Sequence, residues 1–265
     1  MHIKFKDFFI QKIRYKEDVN TKKLVYIFNF LLLFAIIGVF SYFMFIGTDY
    51  NFNWGSIYDY RQKFIDGFFT TFYISFFALI LSFFIGLFFA YGQNSKIILL
   101  RFFSRFYIEI IRGTPLLVQI LIFFYVIAAN LGLDNRYVAG VLILSIFSGA
   151  YISEIVRAAI FSIPKEQYET GLSLGFTIFQ TYRYIIFPQA YKRIIPPLTG
   201  QFASIIKDSS LLSIISVNEF TMNAQEVNSY TFSTLESYIP LALGYLLLTY
   251  PISLWSRKLE KKMKD

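Results

Sequence analysis

Apolar residues in this chain come in long runs, separated by short stretches where polar and charged positions collect. Six runs are predicted to be membrane-crossing helices: residues 24–46, 64–91, 106–131, 137–161, 198–217 and 237–255. At helical rise each spans roughly 28–42 Å, which suits a hydrocarbon core about 30 Å thick. Between them lie a Trp- and Tyr-bearing segment (47–63), a basic link (92–105), a tight turn (132–136) and an acidic stretch (218–236). The longest interruption, 162–193, reads as a helix–turn–helix on the cytoplasmic face. Pro164 suits a helix start, and Glu166 and Glu169 sit where the dipole favours carboxylates. Gly175 suits a left-handed C-terminus. Thr177 and Gln180 form a capping-box pattern for a second helix that Pro188 is expected to terminate. Gly171 and Gly175, four apart, leave one side of the first helix bare.

Composition agrees with the pattern. Apolar residues make up 56% of the 265 and charged ones 16%, well away from the soluble average. The first run is too long for a signal-peptide core and no small-residue cleavage site follows it, so it reads as an uncleaved helix. Segments expected inside are basic, while the outer ones hold only Arg61, Lys63 and Arg136. The positive-inside rule then places both termini in the cytoplasm. The fold class is all-α integral membrane, with about six transmembrane helices. The layout is a basic tail (1–23), an N-terminal helix with its external loop (24–63), a transmembrane domain (64–256) and a second basic tail (257–265).

The net charge of +8 comes from cations at the ends of apolar runs, which argues against nucleic acid. The chain has no Cys and its one His is His2. A thiolate nucleophile, a zinc–thiolate site and a Ser-His-Asp triad are thereby disfavoured, and no metal site is expected.

Ionisable residues at membrane depth cost several kcal/mol unless paired or hydrated. Glu109 with Arg112, and Glu154 with Arg157, share the i,i+3 spacing that puts each pair on one helical face; both are expected to be structural charge pairs. Lys207, Asp208 and Ser209 fall near the middle of the fifth run, and Thr114 and Gln119 flank Pro115, which interrupts helix hydrogen bonding. A zwitterionic substrate needs one cationic and one anionic partner. These five residues are therefore the candidate substrate pathway, formed by the third to fifth runs.

Glu169, Gly175, Ile185 and Pro188 follow the spacing of the EAA loop, E-A-A-x3-G-x9-I-x-L-P. QYETGLSLGFTIFQTYRYIIFPQA, YIEIIRGTPLLVQ, GAYISEIVRAAI and PPLTGQFASIIKDSSLLSII each resemble the polar amino-acid branch of ABC-importer permeases, the histidine/glutamine/arginine/cystine type. The resemblance covers roughly residue 67 to the C-terminus. It departs at Thr170 and Gly171, where the family has paired alanines, and at Phe187, where it has Leu. Residues 24–46 are additional to the branch's five-helix core.

The resemblance implies a coupling helix that docks an ATPase subunit through Glu169, Thr170, Gly171, Gly175 and Pro188. It also implies ATP bound by that partner, a second permease copy or sister permease, an extracytoplasmic amino-acid-binding protein, an amino-acid substrate, and the bacterial cytoplasmic (inner) membrane. The chain has no GxxxxGK[ST] loop, so no cofactor is expected in it. It is expected to be a permease rather than an enzyme. Rival readings are an ion-coupled secondary amino-acid transporter, a membrane protease and a scaffold.

Overall fold

The computed structural model describes residues 23–45 and 50–264, and among them there is no β-strand. The basic tail expected over 1–23 lies almost wholly outside the described residues, as do position 46 of the first run and positions 47–49 of the expected external loop. The chain divides into two units, Met1–Phe52 and Asn53–Asp265.

In the first unit, α1 (Lys23–Phe45) is apolar nearly all round, as a helix solvated by lipid should be. Its amide side chain at Asn29 donates to the Val25 carbonyl at 2.9 Å.

The second unit begins with α2 (Gly55–Asp59), and α3 (Arg61–Gly92) follows. Over its 32 residues α3 is about 48 Å long. One face carries a buried row of mostly small residues, Gly67, Thr71, Ser75, Ala78, Ser82, Gly86 and Ala90, at spacings of three and four. In lipid, apolar burial drives little helix association, so close contact and dispersion must do so, and small residues permit it. The partner is α6 (Arg136–Phe161). A Cβ on Gly86 would stand 2.5 Å from Ile152, and one on Gly149 would stand 2.5 Å from Ile85. Each helix thus fits an isoleucine against the other's glycine. This pair is the spine of the domain.

Between them the chain makes an elbow. α4 (Ile98–Gly113) and the helical run Leu116–Ala128, whose first part is α5 (Leu116–Ile122), meet at 111°. The run Leu116–Ala128 reaches only about 20 Å, too short to cross alone. The third run over 106–131, expected to be interrupted at Pro115, is thus two helices that begin earlier, at Ile98, and the basic link of 92–105 is largely α4. The cause is local: Thr114 and Pro115 are both extended, at φ −121°, ψ 146° and φ −63°, ψ 138°.

After α6 come α7 (Lys165–Ser173), α8 (Ile178–Thr181), α9 (Phe187–Asp208), a 3₁₀ turn (Ser209–Ile215), α10 (Phe220–Thr231) and α11 (Thr234–Lys264). Three expectations change here. The fifth run does not begin after Pro196 and Pro197, because both lie inside α9. The acidic stretch 218–236 is mostly α10, packed on α3 and α11. Among the described residues, α1, α3, α6 and α11 are long and apolar enough to cross a membrane, and the elbow makes a fifth candidate. The charges and prolines of α9 keep it below that standard.

Candidate docking element and substrate pathway

Residues 162–193 fold locally as their caps dictate. Gly175 takes φ +80°, which costs a glycine little. Its N–H donates to the Leu172 carbonyl at 3.0 Å while Phe176 N–H donates to the Gly171 carbonyl at 3.1 Å. This is a Schellman end, with the orphan carbonyls of α7 satisfied. The capping box forms: Gln180 N–H donates to Thr177 Oγ1 at 3.2 Å and Thr177 N–H to Gln180 Oε1 at 2.8 Å. Pro188 behaves otherwise. A π-helical turn, Tyr182–Ile186, carries the chain straight into α9, with Pro188 in its first turn. The bulge shifts the hydrogen-bond register there, so the proline's missing N–H breaks no α-type bond. The expectation that Pro188 ends the second helix is corrected.

Gly171 is buried beneath that second segment. A Cβ there would meet Thr181 Cγ2 at 2.7 Å and Oγ1 at 2.8 Å, and Ile185 Cδ1 at 3.0 Å. Where the family motif has alanine, this chain has placed its bulk on the facing Thr181. Glu169 and Thr170 face outward. Glu169 pairs with Lys165 at 2.8 Å, which raises the pKa of that exposed lysine, and the Thr170 hydroxyl donates to the Glu166 carbonyl at 2.7 Å. Around them Leu172, Leu174 (68% exposed), Ile178 and Phe179 (77% exposed) form an apolar tip.

The charge pairs divide. Arg157 Nε donates to Glu154 Oε2 at 2.9 Å, and a second contact joins Nη2 to Oε1. Among the described residues Glu109 and Arg112 do not form the expected ion pair with each other. Arg112 instead lies over the Tyr151 ring of α6, 5.7 Å from its centroid. The elbow explains this, since it turns the end of α4 toward α6.

The proposed pathway residues also divide. Gln119 is buried and its Nε2 reaches the Ile111 carbonyl at 2.7 Å, the Thr114 carbonyl at 3.1 Å and Thr114 Oγ1 at 2.8 Å. Thr114 in turn donates to the Ile110 carbonyl at 2.8 Å. Both side chains serve carbonyls freed by the elbow. Ser209 is fully buried and donates to the Ile206 carbonyl at 2.8 Å. It therefore offers no free hydroxyl. Lys207 is exposed and Asp208 half-buried, not mid-helix but at the end of α9, where the 3₁₀ turn begins. Neither side chain makes a hydrogen bond or ion pair among the described residues. The two helix discontinuities adjoin, because Leu116 and Ile120 share a buried cluster with Ile205, Leu212 and Ile215. Among the described residues no group of three or more His, Cys, Asp or Glu side chains is placed to hold a metal ion.

Sequence reasoning missed what the three acids of 218–236 do. Glu226 pairs with Lys63 of α3. Glu236 is buried and accepts from the Asn53 N–H. Glu219, fully buried, caps α10 by accepting from Thr221 N–H at 2.8 Å and Met222 N–H at 2.7 Å. The signal available at Glu219 was an acidic side chain directly ahead of the run that starts α10 at Phe220, where a carboxylate can cap free N–H groups.

A family model described as "binding-protein-dependent transport system inner membrane component" matches residues 82–265. The glutamine transport system permease protein GlnP of Escherichia coli (strain K12) is 36% identical over 215 residues, covering 80% of this chain and 98% of GlnP. The L-cystine transport system permease protein TcyB of Bacillus subtilis (strain 168) is 40% identical over 190 residues, covering 69% of this chain and 81% of TcyB. A crystal structure of an amino acid ABC transporter with histidines superposes with a TM-score of 0.75 at 35% identity, covering 80% of this chain and all of that one. With its helical fold and this kinship, the chain is a multi-pass membrane transport component, not an enzyme, and it belongs to the family of binding-protein-dependent transport system inner membrane components.

Proposed function

We propose that this chain is the permease subunit of an ATP-driven importer of polar amino acids in the bacterial inner membrane, with both termini cytoplasmic. In this reading residues 162–193 dock an ATPase subunit that binds the ATP. The permease pairs with a second copy or a sister chain, and an extracytoplasmic binding protein delivers substrate. Lys207 and Asp208 take the carboxylate and ammonium of the amino acid.

One observation carries the reading. The element with the EAA spacing is a helix pair joined through a Schellman end and a capping box, and its free side offers Glu169, Thr170 and an apolar tip of Leu174 and Phe179. A capped element with an apolar tip suits a protein partner and has no use in ion coupling. The first substrates to try are glutamine and cystine, those of the relatives.

The test uses the chain co-expressed with its ATPase subunits and binding protein in proteoliposomes. Uptake should need ATP and be blocked by vanadate, and Glu169→Arg should release the ATPase on purification. Uptake driven by a proton or sodium gradient without ATP would make the chain a secondary transporter instead.

A further inference from the structure

Arg193 lies on α9, 31 positions after Ser162, the residue that ends α6. Its Nη1 donates to the Ser162 carbonyl at 2.5 Å and to Ser162 Oγ at 2.6 Å. A helix C-terminus leaves carbonyls without partners and carries partial negative charge, so a guanidinium there is doubly favoured. Arg193 thus closes the base of the whole stretch. One turn earlier on the same face, Gln189 Nε2 donates to Gln167 Oε1 of α7 at 3.2 Å. Beneath these bonds Ile163, Ile186 and Ala190 are buried together, with Ile160, Tyr168 and Ile194 against them. The end of α6, all of α7 and the start of α9 are therefore one block.

Just past the clasp the helix is interrupted, while Leu198 beyond the break still packs with Ile160 and Ile194. Pro196 and Pro197 remove the N–H groups that would have bonded the Lys192 and Arg193 carbonyls, which interrupts the α9 ladder. The Pro196 carbonyl instead accepts from Thr199 Oγ1 at 2.7 Å and from Ser256 Oγ of α11 at 3.1 Å. A hinge point held by a neighbouring helix thus separates the clasped stub from the rest of α9. Lys207 and Asp208 lie at the far end, about 21 Å on from Arg193.

We propose that Arg193 is a positioning residue for transport: by clasping Ser162 it makes the docking element and the first turns of α9 a single lever that flexes at Pro196–Pro197. This rests on the importer reading above. Without the clasp the docking element still binds its partner, but its displacement is lost before it reaches the far end of α9. Hydrolysis continues and substrate does not move.

The experiment compares wild type with Arg193→Met, Arg193→Lys and Ser162→Ala in the full complex in proteoliposomes, reading ATPase co-purification, ATP hydrolysis and uptake. Loss of a charge-assisted hydrogen bond predicts about a tenfold fall in uptake for Arg193→Met. Complex yield and hydrolysis should stay within about twofold, so ATP consumed per molecule imported rises by a similar factor. Arg193→Lys, which keeps a cationic donor, should recover most of the ratio. Ser162→Ala, which keeps the carbonyl acceptor, should leave it near wild type.

Should Arg193→Met fail to insert, the chain's lack of cysteine allows a second route. Ser162→Cys with Arg193→Cys, bridged by a short bifunctional thiol reagent, should import at a low ATP ratio, and the unbridged pair should not. An unchanged ratio in Arg193→Met, or in the unbridged pair, overturns the proposal. So does a parallel loss of complex, hydrolysis and uptake, which would make Arg193 merely structural. If wild type shows no ATP-dependent uptake, the importer reading fails. If wild type imports, Glu169→Arg releases the ATPase and Arg193→Met transports normally, only the lever fails.

Discussion

The Tyr245 hydroxyl donates to the Glu219 carboxylate across 2.9 Å, joining α11 to the cap of α10. Thr71 of α3 completes the site, its hydroxyl 3.4 Å from Glu219 and accepting from Phe220 N–H at 3.0 Å. Burial lifts the Glu219 pKa from 4.5 to about 7. Between those values the folded chain holds a proton that the unfolded chain has released, so stability falls as pH rises through that window. The loss is complete above about pH 7 and amounts to at most about 3 kcal/mol. In detergent, wild type should melt higher at pH 5.5 than at pH 8, and Glu219→Gln should shrink the gap. An equal gap in both would mean that Glu219 does not titrate there.

Gly171 predicts a steric cost. Alanine at this position would drive a methyl group into Thr181 Cγ2, at 2.7 Å, in a contact that cannot spread because Thr181 is fully buried. Gly171→Ala, a change toward the family motif, should destabilise the helix pair by roughly 1–3 kcal/mol and lower ATPase co-purification. Thr181→Ala should restore both in the double variant, since it removes the opposing atoms. Normal docking by Gly171→Ala alone would show that the pair parts easily.

Much of this was legible in the sequence, because helix caps act over a few residues. Gly175 and the Thr177–Gln180 box are where their spacing placed them, and α6 begins within one residue of expectation. What stayed hidden depended on partners far along the chain. Nothing near Gln119 reveals that its amide would be drawn to the Ile111 carbonyl, since that requires the 111° elbow at Thr114–Pro115. The role of Glu219 stayed hidden because Thr71 and Tyr245, its partners, are 148 and 26 positions away. Pro188 was misread for the opposite reason: the local rule is sound, but a π turn displaced the register it assumes.

Gln119 can be separated from a substrate role by stability. Gln119→Leu leaves the Ile111 and Thr114 carbonyls at the elbow without their donor, at a cost of roughly 1–3 kcal/mol for each buried group. The thermal midpoint should drop by several degrees, with uptake per folded molecule kept within about twofold. Thr114→Val, which loses an exposed hydroxyl bond, should be milder. Unaltered stability with abolished uptake would return Gln119 to the substrate pathway.

Lys207 and Asp208 should show the reverse. Lys207 is exposed, and among the described residues neither side chain has a hydrogen bond or ion pair to lose. Lys207 does sit in the last turn of α9, where a cation gains about 0.3–1 kcal/mol from the helix dipole. Lys207→Met should therefore insert and melt close to wild type. If the ammonium binds the substrate carboxylate, though, the loss of a charge-assisted contact predicts at least a tenfold fall in uptake, with ATP hydrolysis persisting. Asp208→Asn should lose uptake likewise and gain slightly in stability, because a half-buried carboxylate at a helix C-terminus is unfavourable. The discriminating measurement is uptake against amino-acid analogues. Lys207→Met should lose its preference for a free α-carboxylate over the amide, and Asp208→Asn its preference for a free α-amine. Uptake by Lys207→Met at the wild-type rate, with that preference intact, would remove the pair from the substrate site.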